Sequence, residues 1–134
     1  MILIDTSAWI EFLRDTGSVT CNRVEALLEG EVAICDAVWM EVLAGARDEQ
    51  HLRSLQRFLA RAVVLSTIPA DYDSAAALYR QCRRKGNTVR KLLDCLISAV
   101  AIRTGVPVLH NDVDFDILAR HTELRIDTFA TRLI

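Results

Sequence analysis

At 134 residues, with 51% hydrophobic and 25% charged side chains, the chain has the size and make-up of one domain spanning residues 1–134 around a proper core, which excludes disorder. A net charge of −2 and a pI near 5.9 give no global case for nucleic-acid binding, so any such surface has to be local. No run approaches the roughly 20 apolar residues of a membrane span, and the opening MILID becomes charged too early for a signal peptide, so no membrane contact and a cytoplasmic location are expected.

Residues 1–4 form a short apolar run that reads as a strand. Over residues 6–14, Trp9, Ile10, Phe12 and Leu13 make a helical stripe. A second helix is expected over residues 19–29, stopped by Gly30, and a strand over 32–35. Asp36 is placed to cap the helix AVWMEVLAGA. Residues 48–62 are amphipathic, with Leu52, Leu55, Phe58 and Leu59 inward, and VVLS makes the next strand. Helices over about 70–85 and 89–104 follow, and Gly105 and Pro107 punctuate the turn into the strand VPVLH. LRID is expected as a last edge strand with a short helix behind it. Cys21, Cys35, Cys82 and Cys95 include no C-x-x-C pair and read as buried free thiols.

Short apolar strands alternating with helices predict an α/β fold: three α/β/α layers with a mainly parallel sheet of four to five strands. Ligands in such sheets gather at the carboxyl ends of strands. Asp5 directly follows the first strand, and Asp112, Asp114 and Asp116 crowd the end of the late one. Two more acids sit inside apolar helices: Glu41 within AVWMEVLA, and Asp94 within LLDCLISAVAI, whose only polar seam is Lys91, Asp94 and Ser98. A helix that is apolar nearly all round belongs in the core. An unpaired buried carboxylate there costs several kcal/mol, roughly, and needs compensation. Ion pairing with Lys91, Arg90 or a distant arginine, proton sharing between carboxylates, and a hard divalent cation are the three candidates. Four acids at two strand ends and in two core helices favour the cation, since cations near Asp5 and Asp112 are not evident.

The stretches LIDTSAWIE, MEVLAGA and LLDCLISAVAI, followed by LHNDVDFD, make nearly the whole chain resemble a PIN-domain ribonuclease of the VapC toxin type. The resemblance implies magnesium, or manganese as substitute, ligated by Asp5, Glu41, Asp94 and Asp112, with Asp114 of D-x-D-F assisting. These five acids are then the catalytic set, with hydroxyl support from Thr6 and Ser7. Asn111 stands where some relatives carry Thr or Ser, and is read as a supporting group. Asp116 reads as a solvated turn residue, and His51, His110 and His121 as structural or exposed. The chemistry implied is metal-dependent hydrolysis of RNA phosphodiesters, leaving 5′-phosphate and 3′-hydroxyl ends. The resemblance also implies a homodimer and a small antitoxin that wraps the surface near Trp9, Phe12 and Leu13, although that stripe reads equally as core.

The same chemistry follows from the residues: carboxylate-bound magnesium activates water, neutralises phosphate and stabilises the leaving oxygen. The basic stretch RQCRRKGNTVRK, residues 80–91, lies just before Asp94. It is either a solvated face or a phosphate-binding one, and its position favours RNA contact by Arg84, Lys85, Arg90 and Lys91. A receiver domain would need a lysine after a late strand, and a D-x-D-x-T phosphatase a second acid after Asp5; neither is present. A DNA-directed nuclease of the same fold and a non-catalytic metal-binding module remain as alternatives.

Overall fold

The computed structural model describes residues 1–128. Strand β1 (Leu3–Ile4) leads into helices α1 (Thr6–Leu13) and α2 (Val19–Leu27). Then come β2 (Ala33–Cys35), α3 (Asp36–Ala44), α4 (Glu49–Leu59) and β3 (Val63–Leu65). The chain continues through α5 (Pro69–Arg84), α6 (Leu92–Thr104), β4 (Val108–Leu109) and α7 (Val113–His121). The four strands form one parallel sheet in the order β3-β2-β1-β4. Parallel pairing needs a crossover at every connection, and each crossover here is helical.

That order fixes where a site can form. From β1 the chain steps to β2 and β3 on one side, then returns across α5 and α6 to place β4 on the other. The β1–β4 boundary is therefore the switch point, where the carboxyl ends of neighbouring strands part and leave a crevice. Leu3 pairs with Val108 and Ile4 with Leu109, so the two strands end level. Their residues are wholly or almost wholly buried, as are Ile34, Ile97, Phe115 and Leu118 around them.

Helix ends follow local chemistry. Ser18 caps α2 by accepting from Cys21 N–H at 3.0 Å, and Asp48 caps α4 by accepting from His51 N–H at 2.7 Å. Gly105 ends α6 at φ +73°, in the left-handed region that suits glycine. Asp36 does not cap α3 as expected. It opens that helix, while its Oδ2 accepts from Thr67 N–H at 3.0 Å across the sheet edge. The expected helix over 89–104 starts only at Leu92, because Lys91 is extended.

Two late elements differ from expectation. LRID is reduced to a single parallel bridge, Val108 with Ile126, and the short helix expected after it lies outside the described residues. Where the sequence suggested a turn crowded with aspartates, α7 begins. Asp112 is its N-cap, Asp114 and Asp116 sit in its first turn, and Arg120 and His121 in its last, as the helix dipole favours. Among the described residues all four cysteines are free and buried, and no helix is long and apolar enough to cross a membrane.

Candidate metal centre

Asp5 leaves β1 in extended conformation and caps α1. Its Oδ2 accepts from Ser7 N–H at 3.0 Å and from Ser7 Oγ at 2.6 Å. The same Ser7 Oγ accepts from Asn111 N–H at 2.8 Å, so one hydroxyl ties the end of β1 to the end of β4. Thr6 Oγ1 donates to Glu41 Oε1 at 2.8 Å, which anchors the half-buried α3 carboxylate to the same turn. The other oxygen of Asp5, Oδ1, is buried without a hydrogen-bond partner. Burial pushes the Asp5 pKa above the usual carboxylate range, although the Ser7 hydroxyl and amide pull against it.

Asp94 lies in the first turn of α6 and is 4% exposed. Its Oδ2 is likewise buried with no partner. Desolvation, then the charges of Asp5 and Asp112, push its pKa up to about 8, with Lys91 acting in the opposite sense. The ion pairs with Lys91 or Arg90 that could have explained Asp94 are made elsewhere. Lys91 Nζ sits 3.1 Å from Asp112 Oδ2, and Arg90 reaches Asp112 Oδ1 at 3.1 Å and Asp114 Oδ1 at 3.3 Å.

Those pairs correct the expectation that Asp112 lacks nearby cations. Burial raises its pKa, but the Asp114 N–H and the Lys91 ammonium outweigh that and hold it below the usual range. Asp114 is fully buried, and its Oδ2 also accepts from Lys91 N–H at 3.2 Å. The extended backbone that delays α6 to Leu92 thus aims residues 90 and 91 at the carboxylates.

Asp94, Asp112 and Asp114 each offer an oxygen, and these lie within 4.8 Å of one another. Asp5 stands outside that triad but close enough to perturb Asp94, and the field of Lys91 reaches Glu41. Arg84 and Lys85 are exposed at the end of α5 and make no contact with the acids. Asn111 contributes its backbone N–H rather than its side chain.

Sequence reasoning missed the pair formed by His110 and Asp116. His110 Nδ1 accepts from Asp112 N–H at 3.1 Å, so the neutral ring carries its proton on Nε2, 3.4 Å from Asp116 Oδ1. Burial holds the His110 pKa below its ordinary value. Asp116 is a helical residue rather than a turn residue, and only the Phe115–Leu118 spacing behind it signalled that. His51 accepts from Arg47 N–H through Nδ1, and His121 Nε2 meets Asn87 Oδ1 at 2.7 Å, both structural roles.

Two buried carboxylate oxygens without partners, beside two further acids, form a cluster whose own cations satisfy only half of it. The donors are all oxygen and anionic, which suits a hard divalent cation rather than a thiophilic metal.

Comparison with known proteins agrees with this geometry. The PIN domain family model matches residues 2–121. The chain is 45% identical over 133 residues to Ribonuclease VapC11 of Mycobacterium tuberculosis, covering 96% of this chain and 99% of the relative. Its fold is similar to that in the structure of VapBC2 from Rickettsia felis bound to a promoter DNA fragment, with a TM-score of 0.75 and 22% identity over 95% of this chain and 98% of that one. It is also similar to VapC20 of Mycobacterium tuberculosis, described as a sarcin-ricin loop cleaving toxin, with a TM-score of 0.67 and 19% identity over 93% and 99% of the two chains. The switch-point carboxylates thus stand on a fold, and within a sequence, that make this chain a member of the PIN-domain family of VapC ribonucleases.

Proposed function

We propose that the chain is a magnesium-dependent endoribonuclease, with manganese able to substitute, and acts as the toxin of a toxin–antitoxin pair. The observation that carries this reading is the pair of buried, unpartnered oxygens, Asp5 Oδ1 and Asp94 Oδ2, beside Asp112 and Asp114. Asp5, Glu41, Asp94 and Asp112 would hold the ion, with Asp114 in support. A divalent cation in that position supplies a Lewis acid for a phosphoryl oxygen and a water of lowered pKa.

The rest of the work falls to the chain itself. Ser7 and Thr6 hold the Asp5 and Glu41 carboxylates in fixed orientation. Arg90 and Lys91, exposed on one side and paired to carboxylates on the other, are placed to receive the phosphates that flank the cleaved bond. Arg84 and Lys85 extend that positive surface along the end of α5. The few aromatics near the site favour recognition of RNA shape and backbone over base stacking.

Two partners complete the proposal. One is a second copy of the chain. The other is a small antitoxin, supported by the toxin–antitoxin complex among the similar folds. Trp9, expected to face that antitoxin or the core, is buried against Phe58, so the surface near it is carried by Leu13, which is 38% exposed. A groove of about 480 Å³ lined by Ile10, Leu13, Val42 and Leu55, with Arg14, Arg47 and His51 among them, runs from there to Glu41, and an antitoxin segment lying in it would end at the carboxylates.

The test is incubation of structured RNA with pure protein in magnesium and in EDTA, reading 5′-phosphate ends. Cleavage in magnesium that stops in EDTA, and that Asp94→Asn reduces at least about a hundredfold, supports the reading. Full-rate cleavage in EDTA refutes it.

A further inference from the structure

Asp112 and Asp114 both stand where β4 gives way to α7, so the shape of that passage decides where two of the acids lie. Its backbone is tied by side chains, one amide at a time. Asn111 N–H donates to Ser7 Oγ at 2.8 Å, Asp112 N–H to His110 Nδ1 at 3.1 Å, and Asp114 N–H to Asp112 Oδ1 at 3.0 Å. Ser7 also holds Asp5, and Asp112 is itself one of the acids. His110 alone among these three acceptors has no part in the function proposed above.

The His110 ring is fixed on three sides. Its side chain is 10% exposed, and its centroid stands 5.2 Å from that of Phe115 at a 31° tilt. Phe115 is fully buried, so the imidazole rests on the core. Nε2 lies 3.4 Å from Oδ1 of the half-exposed Asp116. One side chain thus touches residues 112, 115 and 116, and Asp114 falls within that bracket. Both ring nitrogens are engaged, Nδ1 as an acceptor and Nε2 towards Asp116, which leaves neither to ligate an ion or to move a proton in the reaction. A carboxylate on one nitrogen selects the tautomer whose other nitrogen accepts, and Asp116 does this for His110.

We propose that His110 is a positioning residue of the metal centre: through Nδ1 it sets the backbone at Asp112, and with it the direction of the Asp112 carboxylate, while Asp116 holds the ring in the tautomer this requires. The role rests on the reading of Asp112 as a metal ligand, and adds to it a group that touches neither the ion nor RNA. The acting atom is the acceptor at Nδ1. Asparagine can supply the same acceptor, because its side-chain oxygen bonds the backbone N–H two residues on. Glutamine is one methylene longer, and its amide reaches the place of Nε2 instead. The two substitutions therefore divide the ring into its two halves.

The test is calorimetric titration of the full chain with manganese, for wild type, His110→Asn and His110→Gln, with melting curves in EDTA to verify folding. His110→Gln is expected to bind manganese about 10–100-fold more weakly, as when a ligand loses the group behind it. His110→Asn is expected to remain near the wild-type affinity. RNA cleavage by His110→Gln should fall at low manganese and recover as manganese is raised, since the loss is one of affinity. Equal losses in the two variants overturn the role of Nδ1, and so does normal affinity in His110→Gln. A cleavage deficit in His110→Gln that manganese does not narrow places His110 in the chemistry and also overturns it. If His110→Gln does not fold, His110→Asn decides alone, its affinity kept if Nδ1 is the acting atom and lost if it is not. A wild type that binds no manganese refutes the metal centre itself, and the positioning role falls with it.

Discussion

Lys91 places its ammonium 3.1 Å from Asp112 Oδ2, and its field extends to Asp94 and Glu41. The chain thus brings its own cation to the edge of the cluster that a metal would enter. Ammonium and metal compete for the same oxygen. Removing a unit charge at this range changes ion binding by at least about 1.4 kcal/mol, or tenfold. Lys91→Met is expected to bind manganese about tenfold more tightly in a calorimetric titration, yet to cleave RNA more slowly for want of a phosphate contact. Unchanged or weaker manganese binding would show that Lys91 does not compete.

Ser7 is expected to matter out of proportion to its size. Its hydroxyl donates to Asp5 and accepts from Asn111 N–H, so Ser7→Ala frees a carboxylate and unties the end of β1 from the end of β4. Loss of about 0.5–1.5 kcal/mol in stability is expected from the missing hydrogen bonds, since Asn111 is exposed and water can take up its N–H. Manganese affinity should fall about 10–100-fold, the usual effect of removing a group that orients a ligand. Paired melting and titration experiments check both, and normal affinity in Ser7→Ala would rule out the orienting role.

Asp71 offers the converse case, a buried acid that is structural. It accepts from Arg103 at 2.9 and 3.0 Å and from Ile68 N–H at 2.9 Å. The Arg103 hydrogen bonds hold its pKa below the usual carboxylate range. Its contribution to stability is therefore present above the unfolded pKa and lost as pH falls through the folded one. Asp71→Ala should destabilise by about 2–3 kcal/mol at neutral pH, tempered by the partial exposure of Arg103. Cleavage per folded molecule should stay at the wild-type level; a specific loss of turnover would assign Asp71 a role in the site.

The contrast between Asp71 and Asp94 shows what was legible in the sequence. Strands ending at Asp5 and near Asp112, and a helix apolar around Asp94, could be read from apolar runs and helical periodicity alone. So could the parallel sheet, because each strand is separated from the next by helix. The partners of the acids could not be read. Arg90 and Lys91 precede Asp94 in the chain, yet an extended backbone at Lys91 turns them towards Asp112 and Asp114 more than 20 residues later. Nothing in the local sequence marks Asp71, since its arginine comes from the far end of α6. Helix α7 was hidden because three aspartates spaced two apart suggested charge crowding. A helix N-terminus accommodates all three through capping and dipole. The late aspartates thus begin a helix, while the carboxylate oxygens left without partners, Asp5 Oδ1 and Asp94 Oδ2, are the ones that a metal would engage in the proposed site.

The raised pKa values give the metal-free protein a characteristic pH dependence. Burial and neighbouring acids move Asp94 from 3.8 to about 8, and burial moves Asp5 in the same direction. Between those limits the folded protein holds a proton that the unfolded chain has released. The contribution of Asp94 to stability is therefore full below the unfolded value and lost as pH rises through about 8. In EDTA, wild type is expected to melt at a lower temperature near pH 8 than near pH 5, and Asp94→Asn to show a flatter slope. Equal slopes in the two proteins would mean that Asp94 titrates normally.

The most direct measurement is a set of melting curves for wild type and Asp94→Asn near neutral pH, each in EDTA and in magnesium. A site whose carboxylates repel one another until an ion arrives predicts a wild type whose midpoint rises with magnesium, because the ion binds the folded state. It also predicts that Asp94→Asn is at least as stable as wild type in EDTA and gains nothing from magnesium. If Asp94 were instead one half of a buried ion pair, the substitution would strand a cation and lower stability by about 3–5 kcal/mol. A large fall in the EDTA midpoint of Asp94→Asn would contradict the metal centre.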